Sequence, residues 1–220
     1  LYAAGVEVGT PYQRWFDESC QRQNITPDTL SDNLFAAEQN GRLEPGVALN
    51  IVRSFVRGGT DSTISGICSL LNQLAANPDQ WEILKAEPAR ARTAFDEAIR
   101  MESPFHVTYR MTVADIDFCG FSLKPGVKVG VFPGAANRDP RKWENPDRFD
   151  VRRVVAGQHM SFGTADHVCI GQMIARQEAE SLLNALLRHV SRIEAVGPVV
   201  YRAMNQVRTL GKLPLKLISK

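Results

Sequence analysis

Apolar positions along the chain recur at helical spacing in most segments and alternate in only one. The longest helix-compatible stretch runs from Val47 to Ala76, with Leu49, Val52, Val56, Ile64, Ile67, Leu70, Leu71 and Leu74 as its apolar positions. Residues 11–24 carry a shorter amphipathic pattern around Trp15, Phe16 and Cys20. Thr26-Pro27-Asp28 predicts a second helix start, because Thr can cap and Pro is tolerated in the first turn. Pro78–Ala86 and Ala89–Met101 read as two more helices. A final strong helix follows Cys169, with Ile170, Ile174, Leu182, Leu183, Leu186, Leu187 and Val190 on its stripe. From Thr108 to Gly134 the period drops to two, through Ile116, Phe118, Leu123, Val127, Val129 and Val131, with Lys124-Pro125-Gly126 as the turn. Residues 137–160 lack periodicity and read as a long ordered loop, and Leu213–Ile218 as a short strand. The predicted fold class is mainly α with minor β, and there is no repeat.

Composition narrows the function classes. With 26 Lys+Arg against 24 Asp+Glu, the net charge of +2 excludes nucleic-acid binding driven by bulk positive charge. At 44% hydrophobic and 23% charged residues, the 220-residue chain can bury a core and is not a charged disordered tail. The four cysteines lie far apart, without zinc spacing, which suits a reducing interior. No apolar run reaches membrane-spanning length and no secretory signal is visible, so a cytoplasmic location and no membrane partner are expected.

The most specific stretch is Ser161-Phe162-Gly163-Thr164-Ala165-Asp166-His167-Val168-Cys169-Ile170-Gly171. A small-residue loop delivers one Cys to the start of a long helix, where free N–H groups and the helix dipole favour a thiolate. Gly171 removes bulk where a flat ligand can press on the backbone, and His167 is a donor for an anionic group. This loop resembles the haem-binding loop of the cytochrome P-450 family, F-x-x-G-x-[R/H]-x-C-x-G. Phe162, His167, Cys169 and Gly171 match, while Ala165 stands where the family prefers Gly. The resemblance implies haem b, its iron ligated by the Cys169 thiolate.

Three further matches follow in the family's order. Glu97-Ala98-Ile99-Arg100 fits E-x-x-R, and Arg148 lies in a P-x-R-F-like segment; with Glu97 and Arg100 it would form a buried structural network behind the haem. Gly58-Gly59-Thr60-Asp61-Ser62-Thr63 is similar to the oxygen-binding stretch of the family's central helix. Its glycines cost a helix about 1 kcal/mol each, and the alternative to room for O2 is a simple kink. Asp61 and Ser62 would be the catalytic acid–alcohol pair that moves protons, with Ser62 replacing the usual Thr. Arg110, His159 and His167 would meet the haem propionates.

The implied architecture is the C-terminal haem-binding portion of the cytochrome P-450 fold, one domain over residues 1–220, N-terminally truncated. Its parts are a central oxygen-binding helix at about 47–76, a β region at about 108–134 and a cysteine loop at 161–171. Ser54, Gly58, Phe105 and Thr108 would face the substrate, and Arg53 and Arg57, one turn apart, would attract a carboxylate or else be solvated. The implied activity is a haem-thiolate monooxygenase using O2 and a small organic, aromatic-type substrate. A ferredoxin or flavodoxin-like donor would dock near Arg152, Arg153 and Arg176. A peroxide-driven hydroxylase and a non-catalytic haem-binding remnant are the alternatives.

Overall fold

In the computed structural model, whose backbone is described from Tyr2 to Lys220 and whose side chains are described from Pro11, the chain packs as two compact units, Leu1–Thr60 and Asp61–Lys220. The first contains α1 (Tyr2–Ser19), α2 (Leu30–Gln39) and the opening turns of α3 (Val47–Ala76). Phe16, Cys20, Phe35, Ala48 and Val52 form its core. Helix α1 runs through Pro11, starting earlier and ending sooner than its apolar pattern suggests, with a 3-10 turn over Arg22–Asn24. The cap of α2 is Thr29 rather than Thr26: its hydroxyl accepts from the Asp32 N–H at 3.3 Å. Asp28, at φ +61°, breaks the backbone where the Thr-Pro-Asp reading starts a helix. At the head of α3 the Glu38 carboxylate accepts from the Ala48 N–H at 2.8 Å, satisfying one of the open donors of that helix end.

The second unit holds the rest of α3 with α4 (Pro78–Ala86), α5 (Ala91–Glu102), the short α6 (Pro133–Ala136) and α7 (Gln172–His189). Its core gathers Leu70, Leu74, Trp81, Leu84, Phe95, Ile99, Leu183 and Leu187. Gly66 of α3 lets α5 come close, since a Cβ there would stand 3.1 Å from Phe95 and 3.2 Å from Ile99. Ala175 and Ala179 give α7 an equally low-relief face in the core. Trp81 ties α4 to the last helix's exit by donating its indole N–H to the Ser191 carbonyl at 2.9 Å.

Among the described residues, strands pair only in twos, all antiparallel. β1 (Thr108–Met111) pairs with β4 (Lys128–Val131), and β2 (Ile116–Phe118) with β3 (Phe121–Leu123). β5 (Val190–Ala195) pairs with β8 (Leu215–Ser219), and β6 (Val200–Tyr201) with β7 (Leu210–Lys212). The β region is therefore a hairpin inside a wider ladder. Its tight turn is Cys119-Gly120, at φ +50° and +83°, while Gly126 closes the outer pair by donating to Thr112 at 2.8 Å. Among the described residues no helix is long and apolar enough to cross a membrane. The four cysteines are unbridged: Cys20 is buried, Cys68 half-buried, Cys119 and Cys169 exposed.

Candidate active site

The cysteine loop is held by its own backbone. The Cys169 N–H donates to the Phe162 carbonyl at 2.7 Å, and the Val168 N–H to the Ala165 carbonyl at 3.1 Å. Two residues take left-handed backbone angles: Gly163 at φ +74°, where a Cβ would sit 3.0 Å from the His167 carbonyl oxygen, and Ala165 at φ +51°. Position 165 is where the cysteine-loop pattern prefers Gly. The preference is conformational, because only Gly adopts that region without cost. Cys169 stands just ahead of α7, whose N-cap is Gly171.

The opening of α7 does not follow the apolar stripe inward. Ala175, Ala179, Leu183 and Leu187 turn to the core, while Ile170 is 80% exposed, with Met173, Ile174 and Val168 exposed around the bare Cys169 thiol. At Gly171 a Cβ would meet only the Cys169 sulfur, 3.9 Å away. An uncovered apolar face with a thiol in it suits a flat apolar group ligated through sulfur, and polar donors stand ready for an acidic edge. His167 is exposed on its 3-10 turn, Ala165–His167, and Arg110 is exposed on β1, one guanidinium nitrogen on the Tyr109 carbonyl at 2.9 Å.

Behind the loop lies a buried polar layer. Glu97 and Arg100 are both fully buried and pair at 2.7 Å and 2.9 Å, Arg100 reaching on to the carbonyls of Asn137 at 2.8 Å and Pro146 at 2.9 Å. The third member of the network is Arg153, its Nε 2.9 Å from Glu97, and not Arg148. The Arg148 side chain is exposed; its carbonyl accepts from Arg153 at 3.1 Å, so the segment joins the network through its backbone. Asn137 links the layer to the loop. Its amide donates to Ser103 and Ser161, each at 2.8 Å, and its oxygen accepts from the Met160 N–H at 2.7 Å. An Asn in an aperiodic loop carries no sequence signal for this.

His159 faces inward. One ring nitrogen lies 3.4 Å from Asp96 and the other accepts from the Ser161 N–H at 3.1 Å, so both nitrogens are engaged inside the protein rather than offered to a propionate. Asp96 also takes the Arg176 Nε at 2.8 Å, and Arg176 stacks over the Phe162 ring at 4.6 Å. Burial pushes the Asp96 carboxyl up, but hydrogen bonds from His159 and Arg176 and the Arg176 charge outweigh it and hold it below the ordinary aspartate value. Two of the three arginines expected at a docking face are thus consumed internally. Arg176 is buried and Arg153 half-buried in ion pairs, and only Arg152 is well exposed, paired with Glu87.

In the first unit, Arg53, Ser54, Arg57 and Gly58 line an open hollow of about 840 Å³ together with Asp17 and Gln13. Arg53 pairs with Asp17 at 2.9 Å, and its buried Nε has no partner. Arg57 lies 4.8 Å over the Phe16 ring, and the Ser54 hydroxyl donates to the Asn50 carbonyl at 2.8 Å. Neither arginine is a plain solvated side chain. Helix α3 is unbroken through Gly58 and Gly59, and nothing stands within 4 Å of where either Cβ would be, so packing does not demand these glycines. In the second unit Asp61 is exposed and Ser62 half-buried on the same helix; Phe105 is exposed and Thr108 half-buried at the start of β1.

Known proteins resemble the chain throughout. A family model described as cytochrome P-450 matches residues 91–195. The chain is 41% identical over 217 residues to "Cytochrome p450 CYP199A2" of Rhodopseudomonas palustris, covering 99% of this chain and 52% of that protein. It is 33% identical to the biotin biosynthesis cytochrome of the same family from Bacillus subtilis, over 91% of this chain and 51% of the other. Among solved structures, P450BioI in complex with a hexadec-9Z-enoic acid ligated acyl carrier protein superposes with a TM-score of 0.84 at 31% identity, over 98% of this chain and 56% of that one. The chain spans about half the length of the curated relatives it matches.

Proposed function

This chain belongs to the cytochrome P-450 family, and from that premise we propose that it forms the haem-binding portion of a monooxygenase acting on a small organic substrate. The observation that carries the reading is the exposed Cys169 thiol inside the uncovered apolar face of Val168, Ile170, Met173 and Ile174. Apolar surface of that kind gains about 25 cal/mol per Å² when covered. Haem b, ligated through the Cys169 thiolate, supplies the O2-activating and electron-accepting centre of the family. Phe162 and Gly171 frame the thiolate, and Arg110 and His167 neutralise the carboxylates of the group they hold.

Asp61 and Ser62 move protons between solvent and the oxygen site: the carboxylate exchanges with water, and the hydroxyl both donates and accepts. Family membership supports substrate-facing positions at Ser54 and Gly58 in the first unit and at Phe105 and Thr108 in the second. An aromatic substrate suits Phe105; in the first unit, the two arginines of the hollow against one aspartate favour an anionic group. Family membership supports a protein electron donor of ferredoxin or flavodoxin type. The unbridged cysteines agree with a cytoplasmic location.

The test is spectroscopic. Reducing the haem-supplemented protein under carbon monoxide gives the thiolate-ligated Soret band, and Cys169→Ala abolishes it. No band from the native protein makes the chain a remnant rather than an enzyme. Retention of the band in Cys169→Ala removes Cys169 as the ligand.

A further inference from the structure

We infer that Arg208 and Glu102 are a specificity-determining positioning pair, a clamp that holds the Phe105–Val207 contact in place as one wall of the substrate pocket. The inference rests on the assignment of Phe105 to the substrate and names what fixes it there.

Glu102 is the last residue of α5 and is buried. Its carboxylate collects three donors from three parts of the chain. Gln73 of α3 donates at 2.9 Å to one oxygen; Arg208 Nε at 2.9 Å and the Tyr201 hydroxyl at 3.3 Å donate to the other. The Arg208 guanidinium also lies 4.2 Å over the Tyr201 ring. The backbone of the same residue is equally committed. Its N–H donates to the Pro104 carbonyl at 2.7 Å, and its carbonyl accepts from the Ser65 hydroxyl of α3 at 2.6 Å.

The neighbours of Arg208 continue the ladder: Phe105 and Val207 form an antiparallel bridge, and the His106 N–H donates to the Gln206 carbonyl at 3.2 Å. Residues 202–209 have no regular secondary structure beyond that bridge. Such a segment keeps a single path only where side chains anchor it. Arg208 is the anchor, and Phe105 is exposed one residue beyond Pro104, against the bridge that the anchor fixes. A carboxylate with three donors holds geometry, not only energy. Moving Val207 therefore moves the wall that Phe105 presents.

The experiment compares imidazole with 4-phenylimidazole in the haem-loaded protein, since both ligate haem iron and they differ in the room they need. The ratio of their dissociation constants is read from difference spectra for the native protein, Phe105→Ala, Arg208→Gln, Arg208→Lys, Glu102→Gln and the Glu102→Gln/Arg208→Gln double variant. Melting temperatures are recorded alongside. The expected result is a ratio shifted about tenfold in Arg208→Gln and Glu102→Gln, with no further shift in the double variant. Arg208→Lys, which keeps the charge and guards against a folding failure, shifts the ratio less than Arg208→Gln does. A native ratio in every Arg208 and Glu102 variant, whatever the melting temperature, overturns the clamp while a shifted Phe105→Ala leaves the Phe105 assignment standing. A native ratio in Phe105→Ala removes that assignment and the clamp with it.

Discussion

The Cys169 N–H donates to the Phe162 carbonyl at 2.7 Å, so the thiol's own backbone closes the loop that presents it. Inside this closure Ala165 carries φ +51°, a conformation that an L residue with a Cβ adopts at a cost of about 1–2 kcal/mol. Ala165→Gly is therefore expected to stabilise the protein by about 1 kcal/mol, partly offset by the greater freedom of Gly in the unfolded chain. Denaturant titration measures it, and a loss of stability contradicts the strain.

Arg153 and Arg148 separate cleanly. Arg153→Ala removes a half-buried charged donor to Glu97, which keeps Arg100, with an expected cost of about 2 kcal/mol. Arg148→Ala leaves the carbonyl that carries its contribution and should fall within about 0.5 kcal/mol of the parent. Paired unfolding curves decide, and equal costs mean the Arg148 side chain has a role its exposure does not suggest.

Acid stability should depend on Asp96. Its folded carboxyl titrates below the unfolded value of about 3.9. The stability it contributes is complete above that unfolded value and disappears as pH falls through the lowered folded one. Asp96→Asn is expected to be less stable at neutral pH and to show a flatter loss of stability on the acid side. Melting temperatures across the acid range report both features; a parallel downward shift with an unchanged slope refutes the linkage.

Gly66→Ala tests the α3–α5 approach. The added methyl meets Phe95 at 3.1 Å and Ile99 at 3.2 Å, an overpacking of about 1–3 kcal/mol against a helix-propensity gain of about 1 kcal/mol. A net loss of about 1 kcal/mol is expected. The matching Gly58→Ala change, whose added methyl would meet nothing within 4 Å, should gain stability instead. Thermal melts of the two variants must therefore move in opposite directions.

What the sequence makes legible follows from how local each signal is. Helices α3, α4, α5 and α7 are written as apolar period and breakers, and the mainly helical class with minor β follows from them. The capping of α2 is not legible in the same way, because Thr26 and Thr29 are equally good caps until the left-handed Asp28 chooses between them. The substitution of Arg153 for Arg148 in the ion network depends on how an aperiodic loop folds back on α5, which no spacing encodes. The same holds for Asn137, which reads as a turn residue and turns out to be fully buried with its amide completely used. His159 and Arg176 show the reverse error: side chains that look available by position are spent on Asp96, a neighbour visible only in three dimensions. At the start of α7 the apolar stripe splits into two directions, one inward and one around the thiol, where helical periodicity alone predicts a single buried face.

The distribution of thiols has a practical consequence for anyone handling the protein. Burial raises the pKa of Cys20 and of Cys68 above the ordinary thiol value, which suppresses the thiolate that alkylating reagents attack. Cys119 and Cys169 stand exposed on the hairpin turn and the cysteine loop. If Cys169 ligates haem iron as proposed, mass-resolved alkylation becomes a ligand gauge with its own internal standard: Cys119 would label in every molecule, Cys169 only where iron has not claimed its sulfur, and the ratio would count the loaded fraction without a chromophore.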